Sequence, residues 1–275
     1  MTPHDPQPVF ELLLRHHANQ PRLKNTQPKN RFFTLDEYER EIFPAGYPAL
    51  FPFLPEEYDF ESLVDRLTAG VSQTEARATH FKSGEAYLLR NRDRKPLKDL
   101  VAAAKAKPGE KLYLGNFPVE NSVAEKLLGK AVAETLHGLP LDPPSGWISF
   151  LPTATPLHKD GSDNFAFLLT GGKRWHVFPV RDAPELDYRP LPMQHNTEYR
   201  ISYRSDAHPT SEAFFQATQL RPLVIEQKAG QMLYLPAGWS HYVDSDAHSV
   251  MLNFWYEPRA FSQLVTRRLT PGSGK

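Results

Sequence analysis

The chain contains no cysteine. Disulfides, thiolate metal sites and a cysteine nucleophile are excluded together, and the composition suits a reducing compartment. It also lacks an excess of either charge. Lys+Arg and Asp+Glu balance at 32 each, so no global basic field recommends a nucleic acid or an anionic membrane as partner. No apolar run approaches the roughly 20 residues needed to cross a bilayer. The opening Met1-Thr-Pro-His-Asp5 has neither the basic patch nor the apolar stretch of a secretory signal. A cytoplasmic protein with no nucleic-acid or membrane partner is expected, with the nucleus left open. Internal repeats are absent, and the only low-complexity tract is the tail Pro271–Lys275.

What is present describes an ordinary globular protein: 275 residues, 40% hydrophobic and 23% charged. The 26 prolines, clustered at Pro140, Pro143, Pro144 and at Pro179, Pro184, Pro190, Pro192, cut the chain into short elements and disfavour a helical bundle. The first part reads as helical. Phe10, Leu13 and Leu14 make a short stripe. Thr34 caps a turn carrying Tyr38 and Ile42. Phe60–Leu67, Leu97–Lys105 and Val123–Leu136 repeat the helical spacing. From Gly146 the period changes to that of strands. Trp147–Leu151 is one; Phe165–Leu169 and Lys173–Phe178 flank Thr170-Gly-Gly172, and Leu223–Gln227 and Gln231–Leu235 flank Lys228-Ala-Gly230. Both turns read as β-hairpins. Ser240–Val243 and Ser249–Tyr256 complete the set. Short strands with tight turns predict a mainly β jelly roll. The expected division is a mostly helical region over 1–110 packing on a barrel, the jelly roll over 111–262 and a tail over 263–275. Arg181–Arg221 has little regular pattern and the length of a functional loop.

The residues that carry chemistry are His158-Lys159-Asp160. Side chains two apart in an extended segment project to one side, so His158 and Asp160 can offer an imidazole and a carboxylate to one ion, with His241 arriving after the second apolar turn. Two histidines and a carboxylate, with other coordination positions open, suit non-haem iron(II). The triplet alone is weak evidence; its setting among strands is what strengthens it. Lys173 opens the strand after the Gly-Gly turn, where an ammonium facing the interior needs an anion. Asn253, a buried amide in an apolar run, also needs partners. His176 lies an odd number of residues from Lys173 and should face the other side of its strand. His4, His16, His17, His80, His137, His195, His208 and His248 sit in helical or loop contexts with no matching carboxylate partner.

Thr155-Pro-Leu-His-Lys-Asp160, Asn164, Gly172-Lys-Arg-Trp175, Ala229-Gly-Gln-Met-Leu-Tyr-Leu-Pro236, His241 and Asn253-Phe-Trp-Tyr256 together resemble the JmjC-domain, or cupin-like, oxygenases. The resemblance runs from about Lys111 to Pro258 and is nearest to the small lysyl hydroxylases and the asparaginyl hydroxylase of hypoxia-inducible factor. It implies a double-stranded β-helix of cupin/JmjC type. It also implies a hydroxylase using iron(II), 2-oxoglutarate as cosubstrate and dioxygen. By position, His158, Asp160 and His241 would be the metal ligands. Lys173 would pair with the distal carboxylate of 2-oxoglutarate, helped by Thr155 and Tyr113. Asn164, Asn253 and Trp255 would line the pocket. Read on its own, Trp255 suits packing equally well, as does Trp175. The resemblance further implies a protein or peptide substrate rather than a small molecule, and a homodimer. Two alternatives stand beside it: a small-molecule hydroxylase with the same metal site, and a non-catalytic cupin-like binding protein. A cupin isomerase fits less well, since Asp160 stands where those have a second histidine.

Overall fold

β7 (Asp163–Thr170) is buried along its whole length, and its side chains divide by parity between two cores. Phe165, Phe167 and Leu169 join one apolar cluster, Ala166 and Leu168 the other. A strand with apolar residues on both faces belongs in the middle of a covered sheet, and that is its place in the computed structural model, which describes residues 29–54, 57–70, 75–80, 92–109, 112–139, 141–186, 188–190, 200–202 and 207–256.

The other strands are β1 (Ala49–Pro52), β2 (Glu75–His80), β3 (Arg92–Pro96), β4 (Leu112–Pro118), β5 (Ser145–Ser149), β6 (Thr153–Lys159), β8 (Gly172–Phe178), β9 (Tyr188–Pro190), β10 (Arg200–Ser202), β11 (Leu223–Lys228), β12 (Gln231–Leu235), β13 (Ser240–Ser245) and β14 (Ser249–Tyr256). An eight-stranded sheet runs β1-β12-β7-β14-β5-β4-β2-β3, and a six-stranded sheet runs β11-β8-β13-β6-β10-β9. From β5 to β8, and again from β11 to β14, each successive strand lies in the other sheet. This is the expected jelly roll, a double-stranded β-helix.

The same alternation corrects the two hairpins. β7 has both edges taken, by β12 and β14, so β8 cannot pair with it and joins β11 and β13 instead. β11 and β12 part in the same way. The glycine turns are corners between sheets. Gly171 and Gly230 both hold φ of 78°, a conformation that costs glycine little. An added Cβ would lie 2.8 Å from the Ser249 Cα at the first and 2.7 Å from the Leu54 carbonyl oxygen at the second.

The large sheet turns one face outward, onto helices α1 (Phe60–Gly70), α2 (Leu97–Ala106), α3 (Asn121–Leu128) and α4 (Lys130–His137). Its other face meets the small sheet. The single helix expected over Val123–Leu136 is broken at Gly129, whose φ is 84°. Thr34 does cap its turn: the Glu37 amide donates to Thr34 Oγ1 at 3.3 Å and the Thr34 amide to Glu37 Oε2 at 2.8 Å. The region before residue 110 is less helical than its spacing suggests, because β1, β2 and β3 join the large sheet. Arg181–Arg221 also holds regular pieces: a 3-10 turn at Val180–Leu186, β9, β10 and helix α5 (Glu212–Thr218). The Phe10–Leu14 stripe and the tail lie outside the described residues. Among those residues, no helix is long and apolar enough to cross a membrane.

Candidate active site

Strand parity decides which side chains enter the space between the sheets. On β13 the inward set is His241, Val243 and Ser245; on β8 it is Lys173 and Trp175; on β14 it is Met251, Asn253 and Trp255. Thr155 and His158 are an odd number of residues apart on β6, so a regular strand would send them to opposite faces. Both nevertheless line the cavity. The register explains it: His241 pairs with His158 but Val243 pairs with Thr155, leaving one extra residue on β6 around Pro156-Leu157. The bulge resets the parity, and Pro156 sits where a strand tolerates a missing N–H.

His158 and His241 are direct cross-strand partners with ring centroids 4.1 Å apart. Each is oriented by a backbone carbonyl two residues earlier in the chain. His158 Nδ1 lies 2.7 Å from the Pro156 oxygen, and His241 Nδ1 lies 3.0 Å from the Trp239 oxygen. An Nδ1–H donated to a carbonyl leaves the Nε2 lone pair free, which is the tautomer a metal takes. The two Nε2 atoms face the carboxylate of Asp160, at 4.0 Å from Oδ1 and 3.7 Å from Oδ2. All three ligand atoms lie within 4.8 Å of one another. Burial pulls the His241 imidazole down to about 4. Burial, then the neighbouring His241, holds His158 well below the usual histidine range. Both rings are therefore neutral at neutral pH, as ligation requires.

The turn between β12 and β13 is tied to the same place. The Gly238 amide donates to the Asp160 carbonyl at 2.8 Å, and the Ala237 amide donates to Asp163 Oδ1 at 2.8 Å. Asp163 Oδ2 also accepts from the Tyr234 hydroxyl at 2.6 Å. Asp163 is fully buried. Sequence reasoning passed over it.

Lys173 stands at the other end of the cavity, only 3% exposed. Its ammonium donates to Ser245 Oγ at 2.6 Å and lies 5.7 Å from the Tyr113 ring centroid. Burial pulls it down to about 7, against a longer-range attraction from Asp246. Tyr113 is buried too; burial pushes its hydroxyl up, while hydrogen bonds with Thr155 and Ser245 work the other way. A buried cation among three hydroxyls is poised for an anion. Ser245 was also missed, although it lies an even number of residues from His241 on one strand.

Between the two ends, Asn253 Nδ2 donates to Asn164 Oδ1 at 2.7 Å. Among the described residues Asn253 Oδ1 is buried without a hydrogen-bond partner, an acceptor left for whatever fills the cavity. Trp255 lines the same space while its indole reaches toward Ser145 Oγ at 3.4 Å. The Trp175 ring lies 5.7 Å from His241, and its Nε1 donates to Gln227 Oε1 at 2.8 Å, which explains its burial without a role at the metal. The cavity encloses about 350 Å³ of unfilled space, its open mouth included. A divalent metal held on one side by two imidazoles and a carboxylate, with a dicarboxylate reaching Lys173, fits this donor set.

Two of the histidines read as lacking carboxylate partners, His137 and His208, have them. His137 Nε2 lies 2.8 Å from Glu125 Oε1, and His176 and His208 share Asp244. Sequence distance hid these contacts, since the partners arrive from different elements. His176 does face away from Lys173, as its parity predicts.

A family model described as a cupin-like domain matches residues 25–261, reaching well before the stretch whose motifs are legible. HSPB1-associated protein 1 of Rattus norvegicus is 34% identical over 113 residues, 40% of this chain and 23% of that protein. Lysine-specific demethylase JMJ31 of Arabidopsis thaliana is 25% identical over 168 residues, 58% of this chain and 30% of that protein. The human bifunctional peptidase and (3S)-lysyl hydroxylase JMJD7 is 27% identical over 141 residues, 46% of this chain and 44% of that protein. The matched part thus spans less than half the length of each of these three relatives.

Proposed function

The chain belongs to the cupin-like domain family, and from that premise we propose that it is an iron(II)- and 2-oxoglutarate-dependent oxygenase hydroxylating a side chain of a protein substrate. The observation that carries this reading is the meeting of His158 Nε2, His241 Nε2 and the Asp160 carboxylate in one cavity with the buried Lys173 ammonium. On this reading His158, Asp160 and His241 hold the iron. When bound, iron with 2-oxoglutarate and dioxygen supplies an oxidative decarboxylation, to succinate and carbon dioxide, coupled to hydroxylation of a C–H bond.

The chain's own part is binding and orientation. Pro156 and Trp239 carbonyls fix the imidazole tautomers, so no proton must leave either ring for the metal to bind. Lys173 receives the distal carboxylate of 2-oxoglutarate, and the hydroxyls of Ser245, Thr155 and Tyr113 complete its hydrogen bonds. Asn253 Oδ1 and Asn164 offer amide groups beside the cosubstrate. Trp255 walls the pocket on the β14 side. β10 pairs with β6 opposite His158 and Lys159, which brings part of the Arg181–Arg221 stretch alongside the metal ligands and suits it to the substrate entrance.

A protein substrate is supported by the relatives, among which are a lysine-specific demethylase and a (3S)-lysyl hydroxylase; a lysine side chain in a cytoplasmic protein is the corresponding target. The test is anaerobic titration of the metal-free protein with iron(II) and 2-oxoglutarate, followed by admission of air. Succinate release that depends on an added peptide, with a mass gain of one oxygen atom on that peptide, is the expected result. Succinate release stimulated by metabolites and not by peptides would redirect the assignment to a small molecule. No uptake of 2-oxoglutarate would overturn it.

A further inference from the structure

On the outer face of the small sheet, away from the cavity, a second set of metal-binding atoms converges. His176 Nε2 lies 2.9 Å and His208 Nε2 lies 3.0 Å from the same oxygen, Oδ2 of Asp244. The three ligand atoms fall within 4.8 Å of one another. They come from three chain segments: β8, β13 and the stretch leading into α5. Tyr242 is the register partner of His176, so Asp244, two residues beyond it, shares that outer face. The imidazoles meet nearly edge to face, at 79° with centroids 4.8 Å apart, so their nitrogens can point at one spot instead of stacking. The Tyr242 ring walls the group, 4.9 Å from His208 and 5.8 Å from His176. His176 is buried, while His208 and Asp244 are each more than a third exposed along their side chains, which leaves one side open to water.

We infer that His176, His208 and Asp244 form a second metal site, of the two-imidazole, one-carboxylate class suited to zinc(II), with a remaining coordination position facing solvent. Zinc binds nitrogen and oxygen at about 2.0–2.2 Å in tetrahedral geometry, which places neighbouring ligand atoms roughly 3.3–3.5 Å apart. The two histidine–carboxylate separations, 2.9 and 3.0 Å, need to open by only a few tenths of an ångström. Without metal, both imidazoles donate to one carboxylate oxygen; although burial pushes the Asp244 carboxyl up, the hydrogen bonds from His176 and His208 outweigh it and hold the group below its usual range. The carboxylate is therefore ionised when the ion arrives.

Ligation through Nε2 moves each ring proton to Nδ1. For His208 an acceptor is in place, Thr210 Oγ1 at 2.8 Å, the kind of outer partner that ligating histidines use. The Thr210 amide, now 3.3 Å from the same nitrogen, must yield. For His176 no partner waits, because its Nδ1 is buried without one among the described residues. That unmatched N–H costs affinity, so the site binds zinc reversibly rather than with the grip of a closed four-ligand site. The consequence for the fold is local. The ion clamps the return of the Arg181–Arg221 stretch onto β13, whose inward face carries His241 and Ser245.

The site is independent of the cavity reading and is tested apart from it. The Asp160→Ala/His241→Ala protein, which has lost two of the three cavity ligands, is stripped with chelator and titrated with zinc(II) by calorimetry and with cobalt(II) by absorption. One equivalent is expected, with the cobalt spectrum of a low-coordinate site. Adding His208→Ala, or the less disruptive His208→Gln, should abolish it, and Asp244→Asn should weaken it by about 10-fold or more. Imidazole NMR should show the His208 proton moving from Nε2 to Nδ1 as zinc is added. Absence of the equivalent, or its survival in both His208 variants, reduces the cluster to hydrogen bonds alone and overturns the proposal. Since no turnover is measured, neither result bears on the oxygenase.

Discussion

His158 and His241 are register partners on adjacent antiparallel strands, each with its Nδ1 beside the carbonyl oxygen two residues before it. The symmetry means that one ladder position sets both imidazoles, and the loss of either ring leaves the other correctly aimed. His241→Ala is expected to abolish succinate formation and the stabilisation given by added manganese(II), a redox-stable stand-in for iron. The metal-free melting temperature should change little, by an amount corresponding to about 1–2 kcal/mol, because a cavity-lining ring is removed rather than a packed core. A metal-induced shift that survives in His241→Ala would exclude this residue as a ligand.

Lys173 makes a second prediction that separates function from stability. A buried ammonium whose main acceptor is one hydroxyl is a burden on the empty protein. Lys173→Met keeps the length of the side chain and removes the charge. The metal-free, cosubstrate-free variant should melt higher than the parent, and saturating 2-oxoglutarate should no longer raise its melting temperature. A lower melting temperature in Lys173→Met would mean that the ammonium is already well paired in the empty cavity.

The same group fixes a pH dependence. Burial pulls Lys173 down to about 7 in the folded chain, whereas the unfolded side chain titrates near 10.4. Between these values the unfolded state binds more protons than the native one, so this residue makes stability rise with pH from about 7 to about 10. Below that window both states are charged and its destabilising effect is fully present. An anionic cosubstrate prefers the ammonium, so binding above pH 7 takes up a proton. The affinity for 2-oxoglutarate should fall as pH rises from about 7 to about 9, and calorimetry in buffers of different ionisation heat should detect the uptake. Lys173→Met should lose both effects.

The cluster of His158, Asp160 and Lys173 in one cavity was legible because two physical rules act on short stretches: His158 and Asp160 share a side through spacing, and Lys173 follows a turn that must be tight. What escaped was whatever depended on partners elsewhere. The corner at Gly171 carries the same local signature as a hairpin, and only the occupancy of both β7 edges distinguishes them. The β6 bulge that brings Thr155 and His158 to one face is a property of register with β13. Gly129 breaks the expected helix through its φ, which apolar spacing does not report. Strands β2 and β3 carry charged sequences such as Arg92-Asp-Arg-Lys95 and are set by the neighbours that pair with them. His176 and His208 meet at Asp244 only through the fold.

Asp163 supplies a final prediction, since it links the loop after Asp160 to the turn before His241. Its two oxygens accept from the Ala237 amide at 2.8 Å and the Tyr234 hydroxyl at 2.6 Å, with the Tyr38 hydroxyl at 3.4 Å. Asp163→Asn keeps the shape but turns one acceptor into a donor. The Tyr234 hydroxyl can rotate to accept from the new amide; the Ala237 N–H has no such freedom and must keep the remaining oxygen. The variant should therefore fold, at a loss of about 1–3 kcal/mol from the mismatched buried group. A neutral amide oxygen accepts from the Ala237 N–H more weakly than the carboxylate does, which loosens the turn that delivers His241, so manganese(II) affinity should fall by about 10-fold, while binding of 2-oxoglutarate to the metal-loaded protein changes less. Tyr234→Phe removes one donor and leaves the Ala237 contact, so it should lower stability without the loss of metal affinity. Equal losses of metal affinity in both variants would show that Asp163 acts through general stability and not by positioning His241.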